Sequence, residues 1–136
     1  MSRLCQRLTL CTVFFLLSVC GCSKYKTYDV TGTVKFTDGS PVAGVCLTFE
    51  TDTPPISATC ITDSEGKFTL STLGDGDGAP VGHYRVLIAP PQMADPDSPP
   101  PVRFHPKYRS FKTSGLEFDV DAKSNHFDIK LDPPGR

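Results

Sequence analysis

Proline and glycine interrupt this sequence so often that they restrict what it can fold into. Thirteen prolines and eleven glycines are spread over 136 residues. Proline lacks an amide donor and glycine costs backbone entropy, so neither suits the interior of a helix. The runs between them are short and rich in Val, Thr, Phe and Tyr, which is the composition of strands. The sequence therefore predicts one all-β domain.

The charge pattern excludes one class of partner. The chain has 14 Lys and Arg residues against 15 Asp and Glu residues, and its formal net charge is −1. Binding to nucleic acid needs cations concentrated on one face or along one stripe, where they neutralise phosphates. The sequence contains no such stripe, so we expect no nucleic-acid partner.

The first residues have the pattern of an export signal. Arg3 and Arg7 precede an uncharged apolar stretch of twelve residues, 8–19. At about 1.5 Å per residue, this stretch is too short to cross a hydrocarbon core of about 30 Å, so it suits a signal peptide better than a permanent span. We expect residues 1–21 to be removed. An ordinary secretory signal is the alternative to a lipoprotein signal.

The segment ends in Val19-Cys20-Gly21-Cys22-Ser23, which resembles a bacterial lipobox. The resemblance implies cleavage before Cys22 and lipidation of that cysteine with diacylglycerol. Two or three acyl chains, at about 0.8 kcal/mol per buried CH₂, would hold the protein on a membrane. By similarity to lipoproteins of diderm bacteria, Ser23 implies the outer membrane or cell surface rather than the inner membrane. A short tether over 22–27, a domain over 28–132 and a tail over 133–136 would follow.

Seven segments of the mature chain read as strands. In the first, Tyr28, Val30, Val34 and Phe36 alternate with outward residues, and a period of two is typical of a half-buried strand. The other six are centred on residues 45–49, 57–62, 68–70, 82–89, 116–120 and 127–131. Turn signals between short strands favour a β-sandwich.

Four motifs occur in an order that resembles a known family. They are Gly32-Thr33-Val34, DGSPVAGV over 38–45, TDSEGKF over 62–68 and GHYRV over 82–86. The series resembles the carboxypeptidase regulatory-like domain, also called transthyretin-like or prealbumin-like, as found in small bacterial lipoproteins. The resemblance implies a non-catalytic, seven-stranded transthyretin-like β-sandwich. Within the third motif, Gly66 is expected to supply a positive φ, and Asp63 to cap the turn amides.

Two cysteines remain once the signal is removed and Cys22 carries lipid: Cys46 and Cys60. They lie on predicted neighbouring antiparallel strands, and we place both on the face away from the core, where a disulfide could form. Closing a loop of about 15 residues would stabilise the fold by about 3 kcal/mol. The alternative is two free, partly exposed thiols held apart by the local Cα separation.

No catalytic or metal-binding motif accompanies the predicted strands. His83, His105 and His126 occur in no H-x-x-E or H-E-x-x-H arrangement, so we expect no metal, no cofactor and no enzyme activity. Asp75-Gly76-Asp77-Gly78 resembles part of a calcium loop. It lacks the remaining ligands of an EF-hand, and a solvated glycine-rich hairpin is the preferred interpretation.

These observations favour a non-catalytic, lipid-anchored protein of the cell envelope, acting as a structural or protein-interaction module. Its expected partners are the membrane, through Cys22, and an envelope protein or polysaccharide. The alternative is a carbohydrate- or small-ligand-binding protein of the cell surface. In that case residues 74–82 and 90–101 are the predicted walls of a site at one end of the sandwich.

Overall fold

The computed structural model describes residues 25–90 and 102–135, and these residues form strands and a single 3₁₀ turn, Pro106–Arg109. The strands are β1 (Thr27–Tyr28), β2 (Val30–Phe36), β3 (Cys46–Asp52), β4 (Pro55–Ile61), β5 (Lys67–Thr69), β6 (Ala79–Pro80), β7 (Gly82–Ala89), β8 (Leu116–Val120) and β9 (Asn125–Leu131). The predicted all-β class is therefore confirmed. The signal peptide and Cys22 lie outside the described residues. Within the described ranges, no helix has the length and apolar character needed to span a bilayer.

The strands form two main sheets and one small ribbon. One sheet has the order β5-β2-β9 and the other the order β4-β3-β7-β8, while β1 pairs with β6. The first and last long strands, β2 and β9, run parallel from the Val30–Asn125 pair to the Phe36–Leu131 pair. Residues distant in sequence therefore become neighbours along the whole length of β2.

The two main sheets face each other across one apolar core. Phe49 of β3 is fully buried. Its ring centre lies 6.1 Å from that of Phe68 on β5 and 6.4 Å from that of Phe127 on β9. The rings of Phe118 on β8 and Phe127 stack at 4.7 Å. These contacts join the inner faces of different sheets, so the predicted sandwich character is confirmed.

The turn between β4 and β5 has the features that its residues predict, although the two strands belong to different sheets. Asp63 Oδ1 accepts hydrogen bonds from the amides of Glu65, at 2.8 Å, and Lys67, at 2.9 Å. Gly66 has a φ of 74°, a left-handed conformation that favours glycine. Both expectations for this motif are therefore confirmed.

Two features of the chain were missed or misplaced by the sequence reading. The strands β1 and β6 contain two residues each and were not predicted. Because β1 contains Thr27, the polar tether gives way to folded structure before the predicted boundary at residue 28. In the following loop, the Asp77 carboxylate closes residues 74–78 into a compact turn.

The placement of both cysteines on the outer face is wrong for Cys60. In the β3–β4 ladder, Cys60 is opposite Leu47 and Cys46 is opposite Ile61. Leu47 is fully buried and Cys60 is 9% exposed, whereas Ile61 is 66% exposed. Cys60 therefore faces the core, and Cys46 faces outward. Both are free thiols, and burial raises the pKa of Cys60 to about 12.

Candidate binding groove at the far end of the sandwich

The sandwich has two ends that differ in the residues they present. At the near end, β2 and β9 begin with Val30 and Asn125, beside the loop of residues 71–78 and the turn of residues 121–124. At the far end, β2 finishes with Phe36 and β9 with Leu131. The chain enters the described fold at the near end, through Tyr25 and β1.

Two adjoining depressions form a groove at the far end. The first has a volume of about 240 Å³, and the second has a volume of about 310 Å³. They share Phe36 and Thr37. The first is lined in addition by Thr33, Lys35, Gly39, Asp128, Ile129 and Lys130, and the second by Asp38, Ser40, Arg103, Pro133 and Pro134. We call the two together the far-end groove.

A hydrogen-bonded cluster around Asp132 fixes one wall of this groove. Asp132 Oδ2 accepts hydrogen bonds from Lys107 Nζ at 2.5 Å and from the Tyr108 hydroxyl at 3.0 Å. The main-chain amide of His105 donates to the carbonyl of Asp132 at 3.1 Å. The hydrogen bonds from Lys107 and Tyr108 lower the pKa of Asp132. The cluster ties the 3₁₀ turn to the end of β9, which brings Arg103 beside Pro133 and Pro134.

Three cations line the groove outside any close ion pair, and one of them, Lys35, helps to lower the pKa of Asp128 by its charge. Lys35, Lys130 and Arg103 are exposed, and among the described residues none of them forms an ion pair. Lys35 and Lys130 are direct neighbours in the parallel β2–β9 ladder. Two like charges at adjacent positions repel, so this pair favours an anion placed between or above them.

The two carboxylates that line the groove are held by hydroxyl groups. Asp38 accepts hydrogen bonds from the Ser40 hydroxyl at 2.6 Å and from the Ser40 amide at 2.8 Å. Asp128 accepts from the Thr33 hydroxyl at 2.7 Å. These hydrogen bonds lower the pKa of each carboxyl. The largest cause is the Ser40 hydroxyl for Asp38 and the Thr33 hydroxyl for Asp128. Both acids are therefore charged at neutral pH but already have donors.

The near end is acidic. Its carboxylates are Asp29, Asp52, Asp75, Asp77, Asp119 and Asp121. Among the described residues, Lys26 and Lys123 are the lysines at this end, and Lys123 Nζ lies 3.3 Å from Asp121. Asp52 is paired with Arg85 at 2.9 Å. The near end is therefore rich in carboxylates, whereas the far-end groove carries both charges, with Lys35, Lys130 and Arg103 beside Asp38 and Asp128.

The acidic motif of residues 75–78 does not offer a free carboxylate pair for calcium. Asp77 accepts hydrogen bonds from the amides of Thr72 at 2.7 Å, Leu73 at 3.0 Å and Gly74 at 3.0 Å. Burial opposes ionisation of Asp77, but the three amide bonds outweigh it and lower its pKa. Asp77 is thus a structural cap.

The three histidines occupy separate places. His83 lies between Asp119, at 2.7 Å, and Glu117, at 3.3 Å, on the outer face of β7 and β8. The hydrogen bond to Asp119 raises the pKa of His83. His126 contacts Thr31, and His105 accepts from the Lys107 amide. Within the described ranges, no group of three or more potential ligand side chains is arranged to hold a metal ion.

The predicted walls of a ligand site leave β7 from its opposite ends. Residues 74–82 precede β7 and residues 90–101 follow it, and β7 is eight residues long, so the two loops leave β7 at points separated by roughly 23 Å. Pro90 instead borders a third depression of about 350 Å³ at the far end, beside Arg103 and Pro134. Residues 91–101 lie outside the described residues, so a site walled by both loops stays a prediction.

Sequence reasoning did not identify the groove residues as a site. The alternation of β2 placed Thr33 and Lys35 outward, but it gave no indication that Lys130 would lie beside them. Arg103 reaches the groove only because the Asp132 cluster folds residues 102–109 against the end of β9. Comparison with protein-family models, with curated proteins and with solved structures finds no match for the chain.

Proposed function

We propose that this protein is a non-catalytic, lipid-anchored protein-interaction module of the cell envelope, with a carboxypeptidase regulatory-like domain of transthyretin-like topology. The observation that supports the proposal most directly is the place where Tyr25 and β1 lie in the fold. Tyr25, three residues after Cys22 in sequence, leads into β1 at the near end. A lipid on Cys22 would therefore keep the near end at the membrane and turn the far-end groove away from it.

The dimensions of the fold support this orientation. Thr27 follows Cys22 by five positions along the chain, and a fully extended chain covers at most about 3.6 Å per residue. The tether is then no longer than about 18 Å. The seven residues of β2 place Phe36 about 20 Å further along the strand direction. The groove is thus at the end from which a partner can approach.

Protein interaction receives more support than carbohydrate binding. Sugar rings bind largely by stacking on exposed aromatic side chains. Among the described residues lining the far-end groove, Phe36 is the single aromatic one, and it is only half-exposed. The remaining surface consists of lysine, arginine, hydroxyl groups and two prolines. These groups suit the polar and charged side chains of a polypeptide.

The anchor is tested by removing the lipidated cysteine. Cys22→Ser is expected to move the protein from the membrane fraction to the soluble fraction, whereas the matched variant Cys46→Ser stays with the membrane. Intact mass spectrometry of the wild-type protein should show a chain beginning at Cys22 plus diacylglyceryl and acyl groups. A wild-type mass without lipid, or retention of Cys22→Ser on the membrane, would contradict the proposal.

A further inference from the structure

We infer that the far-end groove binds an extended acidic segment of a partner protein. The inference deepens the proposed interaction role and rests on it, but the groove exists whether or not Cys22 carries lipid. It is carried by three properties of the described surface: the cations of the groove, its elongated form, and the concentration of carboxylates at the near end.

The cations are spaced along the groove rather than gathered at one point. Lys35 and Lys130 line the first depression, and Arg103 lines the second. Phe36 and Thr37 join the two depressions between them. Carboxylates on successive outward positions of an extended chain would meet these cations in turn. Arg103 can bind one of them through two parallel hydrogen bonds.

The form of the groove also suits an extended chain. Two open depressions that lie side by side give a shallow channel, whereas a compact small ligand is usually enclosed in one concave pocket. Part of the lining is main chain: Ile129 is 2% exposed, with its side chain in the core, so its backbone contributes to the wall. Pro133 and Pro134 provide an apolar edge, and the Thr37 hydroxyl can donate a hydrogen bond to a polypeptide.

The near end directs an acidic partner to the groove. Asp29, Asp75 and Asp121 at that end are exposed and would repel a carboxylate-rich chain. Because carboxylates are concentrated at the near end and the unpaired cations Lys130 and Arg103 lie at the far end, the field of the molecule favours approach to the far end. An acidic polysaccharide would feel the same field, but the groove lacks the exposed aromatic surface on which sugar rings stack.

The test uses the protein purified in detergent from the cell fraction in which it is found. The probe is a fluorescein-labelled peptide of alternating aspartate and threonine, and binding is followed by fluorescence anisotropy. Replacing Lys35 and Arg103 together by glutamine is expected to weaken binding about tenfold. The matched control replaces Lys26 and Lys123 by glutamine, which changes the net charge equally at the near end and should leave binding within about twofold.

Several outcomes would overturn the inference. These are unchanged binding in the Lys35→Gln, Arg103→Gln variant, equal weakening in the near-end control, and equal binding of a peptide with asparagine in place of aspartate. Binding of polygalacturonate without binding of the acidic peptide would assign the groove to polysaccharide instead. Thermal melting of each variant checks that the fold is retained. Because the assay does not depend on lipid, its result is separate from that of the Cys22→Ser fractionation.

Discussion

At the scale of single residues, the Asp77 carboxylate holds the loop between β5 and β6 together. It accepts three main-chain amides, from Thr72, Leu73 and Gly74. Hydrogen bonds to a charged acceptor contribute about 1.5–3 kcal/mol each, less where solvent competes. We expect Asp77→Asn to lower the free energy of unfolding by about 1–2 kcal/mol, measured by urea denaturation at neutral pH.

The pH dependence of this effect follows from the direction of the pKa shift. The folded-state pKa of Asp77 is lowered, so its contribution is present above the unfolded pKa of about 3.9 and is lost as the pH falls through the folded pKa. The difference between wild type and Asp77→Asn should therefore shrink in acid. Asp75→Asn is the matched control and should be nearly neutral. An equal effect of both substitutions would show that loop charge, rather than the cap, is responsible.

The two cysteines of the domain differ in accessibility. Cys60 is buried, with a pKa raised to about 12 by that burial, whereas Cys46 lies half-exposed on the outer face. Because the thiolate is the reactive form, N-ethylmaleimide should modify Cys46 in the native protein and Cys60 only after unfolding. Peptide mapping by mass spectrometry identifies the labelled sites. A disulfide-linked pair of peptides containing both cysteines would contradict the structure.

At the scale of elements, Gly32 allows β2 to lie between its neighbours. A Cβ at this position would overlap the main-chain oxygen of Phe127 and come within 2.5 Å of the Phe68 ring. Both neighbours belong to the same sheet as β2, so neither can move without disturbing the ladder. Gly32→Ala is therefore expected to lower the free energy of unfolding by about 2–3 kcal/mol.

Gly74 provides the control for this substitution. A Cβ there meets nothing within 4 Å, and the φ angle of Gly74 is not in the positive range that favours glycine. Gly74→Ala should change stability by no more than about 0.5 kcal/mol. Thermal or urea unfolding of both variants measures the difference. Similar losses in the two variants would mean that close packing around Gly32 is not the cause.

The long strands could be predicted from the sequence because each contains several cycles of alternation. A two-residue strand such as β1 or β6 has no period to detect. On β4 the alternation was ambiguous, because Ile61 is more apolar than Cys60. The buried Thr62 decides the matter: its hydroxyl donates to the Val42 carbonyl at 2.8 Å and accepts from the Val45 amide at 3.1 Å. These bonds turn Cys60 inward and leave Ile61 exposed.

At the scale of the whole molecule, the candidate site could not be predicted from local patterns. Lys35 and Lys130 are separated by most of the domain in sequence, and they meet because β2 and β9 pair in parallel. Arg103 comes from a third segment of the chain. The hydrogen bonds that Lys107 and Tyr108 donate to Asp132 hold this segment in place. Local alternation indicates which side chains point outward. It does not specify strand order, and strand order brings these three cations together.

The orientation of the whole domain on a membrane is the last prediction. Fluorescent labels are placed at the near end by Asp75→Cys and at the far end by Thr37→Cys, each combined with Cys46→Ser to remove the accessible native thiol. The lipidated proteins are reconstituted into vesicles that contain lipid with a nitroxide quencher on the headgroup. Because Asp75 lies in the near-end loop between β5 and β6 and Thr37 follows the far end of β2, the label at 75 should be quenched more strongly. Equal quenching, or stronger quenching at 37, would show that the far-end groove does not face away from the membrane.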